Sequence, residues 1–340
     1  MAIAWAKLNL PCRRPSRSSS ALLRRPAESF RYRLHVPSST TRGEYDQHRP
    51  VEQHHPDFIR QEGANLLAFF HAWGHPKGAT ILEISCGSGF MTASLASQPS
   101  VGHLLATDAS SAFCQIVQRK LATYPPEAAR VDIAVMTAED VKCIPPGAIS
   151  LIFLRSVLHH ISDVDTFLAD CAAVLPKGGM LICEEPYAEG YIMMGFLAQF
   201  IPDALSSAGE TCSPEDRAYI DNFVATMQFY ARRDLDKSAA EDKHLFRPDE
   251  LAVSARKAGM NFDHHPNWHI AISPETNVAN RIGYFEKFFG FYIRNCMGWP
   301  ADLVGRVIPA TRKYFGYFGP LESVDNTTPY CFGTFVFTKR

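Results

Sequence analysis

A short apolar run that leads into a glycine turn, within residues 80–95, constrains the fold of this chain most. The segment reads TILEISCGSGFMTASL, so a strand-like stretch reaches Gly87 and Gly89 and then a sequence able to begin a helix. Glycines turn the backbone sharply and let a ligand approach closely, because they lack a Cβ and adopt positive φ at little cost. The helix that follows offers free backbone N–H groups. This pattern predicts a nucleotide-type ligand site between a strand and a helix.

An acidic residue separates this turn from a dinucleotide-binding loop. Glu83 stands four residues before Gly87, and Thr92 occupies the position of the third glycine in a dinucleotide fingerprint. A carboxylate there is badly placed for a pyrophosphate and well placed for a cationic ligand. An NAD(P)-dependent oxidoreductase is therefore kept only as a disfavoured alternative.

The segment Glu83-Ile-Ser-Cys-Gly-Ser-Gly89 resembles the first motif of the class I S-adenosylmethionine-dependent methyltransferases, acid-x-Gly-x-Gly-x-Gly. Ser85 departs from the motif by replacing its first glycine. The segment Leu154–Asp163, LRSVLHHISD, resembles the motif after the fourth strand in the type 11-like, small-molecule branch of that family. The resemblance implies S-adenosyl-L-methionine as cofactor and methyl transfer to a small-molecule acceptor.

Further cofactor contacts are expected at the ends of the next strands. Asp108 ends the second predicted strand, where a carboxylate can accept hydrogen bonds from a ribose diol; its alternative role is a helix cap. The resemblance places Glu139, in preference to Asp140, at the adenine edge, and Arg155 beside the methionine part of the cofactor. The predicted cofactor-binding residues are Glu83, Ser85, Gly87, Ser88, Gly89, Asp108, Ala109, Ala138, Glu139, Arg155 and Ser156.

Catalytic residues are harder to assign, because methyl transfer gains most from holding the acceptor in line with an already reactive methyl donor. A general base is useful only if the acceptor is a hydroxyl or an acidic carbon. By position near strand ends, His159, Glu185 and Tyr187 are the candidates, with Glu184 as a further one. For His159 the alternative is a packing or capping role.

Strands alternate with helices along the chain, which predicts a Rossmann-like, doubly wound α/β sheet covered on both faces. Family resemblance implies a mostly parallel sheet with an antiparallel last strand. A methyltransferase domain is expected over residues 44–340, with helical insertions at about 187–245 and 275–327. The predicted strands are 80–84, 103–107, 131–136, 149–154, 180–183, about 262–269, and 330–339.

The two insertions are rich in aromatic residues at helical spacing, such as Tyr191, Phe196, Phe223, Phe288 and Tyr292. Such residues most often form a core. A lid over a hydrophobic or aromatic acceptor and the face of a homodimer are the alternatives.

The first 43 residues differ in composition from the remainder. They carry Lys7 and eight arginines against the single acid Glu28, with many Ser, Pro and Ala residues, while the whole chain has a net charge of −1. This composition is typical of a mitochondrial or plastid transit peptide, or of a disordered basic tail on a cytoplasmic protein. Nucleic-acid binding is not expected, because the acidic remainder would repel phosphates. An organelle assembly factor, or another enzyme that binds S-adenosylmethionine without methylating, is the remaining alternative.

Neither cysteine nor histidine spacing indicates a metal centre. The nine cysteines include no Cys-x-x-Cys pair, and adjacent histidines in a strand, such as His264 and His265, point to opposite faces. No metal is predicted. No apolar run reaches the length of a bilayer span, so no transmembrane segment is predicted.

Overall fold

The computed structural model describes residues 55–124, 126, 130–238, 240, 242–266, 278–316 and 331–340. The predicted basic tail or transit peptide, residues 1–43, lies outside these residues. The described chain divides into two compact units. The first comprises residues up to Glu184, Asp249–Asp263 and Phe335–Arg340; the second comprises Glu185–Pro248 and His264–Thr334.

Seven strands of the described chain form one sheet, in the order β3-β2-β1-β4-β5-β7-β6. Strands β1 to β5 pair in parallel. The central strands are buried along nearly their whole length, as expected for a parallel sheet covered on both faces. The strands are β1 Thr80–Ile84, β2 His103–Asp108, β3 Arg130–Val135, β4 Leu151–Arg155, β5 Met180–Pro186, β6 Met260–Pro266 and β7 Phe332–Lys339.

The last strand runs antiparallel to β5. At the end of β7, the Lys339 amide donates to the carbonyl of Gly179, which lies just before β5. At the start of β7, the carbonyl of Cys331 accepts from the amide of Tyr187, which lies just after β5. These contacts fit only an antiparallel β5–β7 pair. The predicted fold class, a mostly parallel Rossmann-like sheet with an antiparallel last strand, is therefore confirmed. The edge strand at this end of the sheet is β6, because β7 inserts between β5 and β6.

Helices of the first unit begin and end where local sequence signals favour it. Ser110 caps one helix by accepting a hydrogen bond from the Phe113 amide, and Asp163 caps another through the Thr166 amide. A proline opens the helix before β6, and Gly259 follows it with φ of 73°. These helices are α1 Pro56–Ala72, α2 Phe90–Ala96, α3 Ser111–Thr123, α4 Val164–Val174 and α8 Pro248–Lys257, with 3-10 turns at Ala138–Cys143 and Leu158–His160.

The second unit is helical and has its own aromatic core. Its helices are α5 Ala188–Ala198, α6 Ile201–Ser207, α7 Pro214–Ala231, α9 Val278–Asn295 and α10 Ala301–Gly316. Tyr191, Phe223 and Tyr292 lie in one buried cluster, with Tyr191 and Phe223 each packed edge-on against Tyr292. These aromatic residues are therefore core, whereas Phe196 stays 53% exposed.

Both segments predicted as insertions fall within the ranges of this second unit, and their assignment as insertions stays a prediction. Among the described residues, no helix combines the length and the apolar character that crossing a bilayer requires.

Candidate functional site

The site is built where the order of the sheet reverses, between β1 and β4. In the sheet register Ile84 lies level with Thr107 of β2 and with Leu154 of β4. The next residue of each strand, Ser85, Asp108 and Arg155, therefore stands at one edge of three adjacent strands. In open parallel sheets, ligands bind at the carboxyl ends of strands at such a reversal.

The turn after β1 needs its glycines for two different reasons. Gly87 has φ of 50°, and no described atom lies within 4 Å of the position that a Cβ would take. Gly89 has φ of 75°, and a Cβ there would lie 2.9 Å from Cγ2 of Val117 on α3. Gly87 thus leaves an open backbone surface for a ligand, and Gly89 lets the start of α2 pack on α3.

Ser85, which replaces the first glycine of the motif, adopts a left-handed backbone with φ of 60°. A non-glycine residue in this region costs about 1–2 kcal/mol. The Ser85 hydroxyl donates to Oδ2 of Asp108 at 3.4 Å, which offsets part of that cost. Serine at this position thus holds a backbone conformation that glycine adopts at little cost.

Asp108 links the end of β2 to the glycine turn. Its Oδ2 accepts from the Gly87 amide at 2.9 Å, and its Oδ1 accepts from the Ser110 amide at 2.8 Å. The helix cap of α3 is Ser110 rather than Asp108. The ribose role of Asp108 stays a prediction.

Glu83 is buried within β1, and its Oε2 accepts from the Thr92 hydroxyl of α2 at 2.7 Å. Burial raises the pKa of Glu83 to about 8; the Thr92 hydrogen bond opposes the rise, and the nearby Asp108 charge adds to it. A buried carboxyl of this kind becomes charged more readily when a cation lies close to it. Without such a cation, burial favours the neutral carboxyl of Glu83 near pH 7.

At the exit of β3 two adjacent acids have different surroundings. Oδ2 of Asp140 accepts from the amide and the hydroxyl of Thr137, which caps the 3-10 turn. Glu139 is exposed, and Ala138 beside it is half-buried. Because Asp140 has a structural role, the exposed Glu139 stays the better candidate for the adenine contact.

The end of β4 is joined to β5 through charged side chains. Nε of Arg155 lies 2.8 Å from Oε2 of Glu184. Ser156 has φ of 56°, and its amide donates to the Glu184 carbonyl at 2.8 Å. The predicted cofactor residues Arg155 and Ser156 are thus held by a neighbour that the sequence motif does not include.

The catalytic candidates are buried. His159 lies on the 3-10 turn after β4, is 8% exposed, and its ring centroid is 4.0 Å from that of His160. Glu185 and Tyr187 belong to the second unit. Tyr187 packs so tightly on Gly333 that a Cβ there would lie 1.9 Å from its Cε2. Their catalytic roles stay predictions.

Sequence reasoning missed two partners in the first unit. The sequence presents Thr92 as a replaced glycine, yet its hydroxyl donates to Glu83. It offers Glu184 as a base, yet the Glu184 side chain pairs with Arg155. The signal for Glu184 is its register, since Arg155 and Glu184 are cross-strand partners.

Residues 82–183 match a family model described as a methyltransferase domain. A ubiquinone biosynthesis O-methyltransferase of Xanthomonas axonopodis is 23% identical over 197 residues, 58% of this chain and 69% of the relative. A demethylmenaquinone methyltransferase of Bacillus licheniformis is 27% identical over 126 residues, 36% of this chain and 52% of the relative. This chain therefore spans between about half and two thirds of the length of these relatives.

Among solved structures, phosphoethanolamine N-methyltransferase 2 of Haemonchus contortus in complex with S-adenosyl-L-methionine aligns with a TM-score of 0.45 at 15% identity. The alignment covers 81% of this chain and 52% of that one.

Proposed function

Because this chain belongs to the class I S-adenosylmethionine-dependent methyltransferases, we propose that it transfers the methyl group of S-adenosyl-L-methionine to a small-molecule acceptor. The observation that carries the proposal is the buried Glu83 beside an open Gly87 turn that Asp108 holds in place. An adenosyl sulfonium ligand needs three features in one place. They are a glycine turn, an acid in the strand before the turn, and an acid at the end of the next strand.

The residues fit this cofactor. Glu83 would balance positive charge, the Gly87 backbone surface would lie against the ligand, and Asp108 would accept from ribose hydroxyls. When bound, the sulfonium supplies an electrophilic methyl group. What the protein adds is orientation of the acceptor and exclusion of water, which can contribute several kcal/mol to the lowering of the barrier.

For the acceptor we propose a hydroxylated aromatic ring of the quinone-precursor type. Support comes from the activities for which two relatives are named, in ubiquinone biosynthesis and on demethylmenaquinone. A ring hydroxyl or an acidic ring carbon is a weak nucleophile until it loses a proton, so a base such as His159 would assist.

Calorimetry on the purified chain tests the cofactor. Binding of S-adenosylmethionine and S-adenosylhomocysteine without binding of NADH is expected. Binding of NADH alone would overturn the proposal.

Radiolabelled methyl transfer to a catechol and to a 1,4-naphthoquinol then tests the acceptor. The control variant is Asp108→Ala, which should lose cofactor binding and transfer together. Cofactor binding without transfer to either ring, or to any metabolite of a cell extract, would favour an assembly factor or other non-methylating role.

We further propose that residues 1–43 direct the protein to an organelle. The excess of eight arginines and a lysine over one acid supports this proposal. A fluorescent protein fused behind residues 1–43 should enter mitochondria or plastids, and the same fusion with the eight arginines changed to Gln should not. A diffuse cytoplasmic signal from both fusions would contradict it.

A further inference from the structure

The carboxyl ends of β4 and β5 carry an ion pair between residues that face each other in the sheet. Arg155 and Glu184 are register partners, and Arg155 Nε lies 2.8 Å from Glu184 Oε2. The Glu184 side chain is 2% exposed, whereas that of Arg155 is 37% exposed. One partner is thus held inside the protein, and the other is accessible from solvent.

The same glutamate also holds the backbone at this end of β4. Its carbonyl accepts from the Ser156 amide at 2.8 Å, and Ser156 has φ of 56°. Left-handed backbone at a serine persists only where surrounding contacts determine it. The side chain and the carbonyl of Glu184 therefore fix two consecutive residues, Arg155 and Ser156.

An arginine held in this way is suited to bind a second anion. A guanidinium has five N–H donors, more than one carboxylate engages, and its planar fork matches the geometry of a carboxylate. Arg155 stands level with Ser85 and Asp108 at the edge where the order of the sheet reverses.

We infer that Glu184 is a positioning residue, which orients Arg155 to bind the carboxylate of the methionine part of S-adenosylmethionine. This inference rests on the proposed function. It gives Glu184 a role in cofactor affinity and not in proton transfer, because its side chain is already paired with a cation.

Two ligands separate this role from a general structural one. S-adenosylhomocysteine carries the carboxylate, and 5′-methylthioadenosine has the same nucleoside without the amino-acid part. In calorimetry on the full chain, Glu184→Ala and Arg155→Ala should each weaken S-adenosylhomocysteine binding about tenfold to a hundredfold, the range for hydrogen bonds to charged groups. Binding of 5′-methylthioadenosine should change by less than about threefold in both variants.

Two further variants sharpen the test. Glu184→Gln removes the charge of the ion pair and keeps the size of the side chain, so it should weaken S-adenosylhomocysteine binding as Glu184→Ala does. The double variant Glu184→Ala/Arg155→Ala should bind no more weakly than Arg155→Ala, since Glu184 acts through Arg155.

Arg130→Ala is the matched control. It removes an arginine–carboxylate pair of the same 2.8 Å length, to Asp132, at the start of β3. This control should leave the affinities for both ligands unchanged.

Unchanged S-adenosylhomocysteine binding in folded Glu184→Ala would overturn this inference and leave the proposed function intact. If Glu184→Gln and Arg155→Ala lose affinity equally for S-adenosylhomocysteine and 5′-methylthioadenosine, the inference is also overturned. If Glu184→Ala does not fold, the Gln and Arg155→Ala variants decide. A wild-type chain that binds neither ligand would instead contradict the proposed function, and this inference with it.

Discussion

Oδ2 of Asp108 lies 2.9 Å from the backbone nitrogen of Gly87, so the end of β2 holds the glycine turn that follows β1. This hydrogen bond ties the glycine turn to the neighbouring strand. One carboxylate serves both the turn and, under the proposed function, the ribose.

Replacing Asp108 by Ala should weaken S-adenosylhomocysteine binding by about 1.5–3 kcal/mol, because a charged acceptor is lost. The Gly87 and Ser110 amides also lose their acceptor, so the free energy of unfolding should fall by about 1–2 kcal/mol. Calorimetry and urea unfolding measure the two effects. Asp132→Ala, in the neighbouring strand β3, is the control for affinity. A folded Asp108→Ala variant with unchanged affinity would refute the ribose role.

Strands β1 to β5 and the glycine turn could be predicted, because apolar runs, glycines and acids close together in sequence determine them. The predicted bounds of β1 are the observed ones, and those of β2 to β5 differ by at most three residues; β5, for example, ends at Pro186 and not at the predicted Cys183. The Arg155–Glu184 pair could not be predicted in the same way. It depends on which strands become neighbours and on their register, and that register is set by packing across the sheet.

The hydrogen bond from Thr92 to Glu83 cannot be predicted from the sequence for a related reason. A family motif reports residue types, and a threonine in place of a glycine looks like a defect of the motif. Only the approach of α2 to β1 shows that it satisfies a buried carboxyl.

Glu83 should make the ligand-free protein less stable as pH rises. Its folded-state pKa is about 8, above the ordinary value of 4.5, so the unfolded chain releases this proton first. The neutral Glu83 carboxyl gives its full stabilisation below about pH 4.5. This stabilisation is lost as pH rises through 8, by about 1.4 kcal/mol per pH unit between the two pKa values. Urea unfolding of wild type and Glu83→Gln between pH 5 and 8.5 tests this. The difference in unfolding free energy between them should change steadily with pH, and a constant difference would contradict the assignment.

His75 should have the opposite effect in acid. It is buried at the end of α1 with its ring edge-on to Phe70, and burial lowers its pKa from 6.5 to about 4, with His71 adding to the shift. The unfolded chain therefore binds a proton first as pH falls, and stability is lost between pH 6.5 and 4, by about 3 kcal/mol in total. His75→Leu should remove this part of the acid sensitivity while unfolding like wild type at pH 7.5. Identical loss of stability from pH 7 to 4.5 in both proteins would show that His75 contributes nothing.

Gly333→Ala should destabilise the second unit by steric conflict. The added Cβ would lie 1.9 Å from Cε2 of Tyr187, so the ring has to move out of its packed position. Overpacking of this kind costs about 1–3 kcal/mol. Tyr187→Leu supplies the space, so Gly333→Ala should cost much less in the Tyr187→Leu background. A double-mutant cycle by urea unfolding measures the coupling, and additive effects would disprove the contact.

His159 offers the sharpest test of whether a base takes part in the chemistry. If it accepts a proton from a ring hydroxyl, His159→Ala should lower the rate of methyl transfer to a catechol about a hundredfold or more, the contribution expected from general base catalysis. Affinity for S-adenosylhomocysteine should stay as in wild type. His160→Ala is the matched control, because its ring lies only 4.0 Å away and shares the same turn. An equal, small decrease in both variants, together with an equal loss of stability, would assign His159 to packing, since two adjacent rings that only fill space should be interchangeable in the rate.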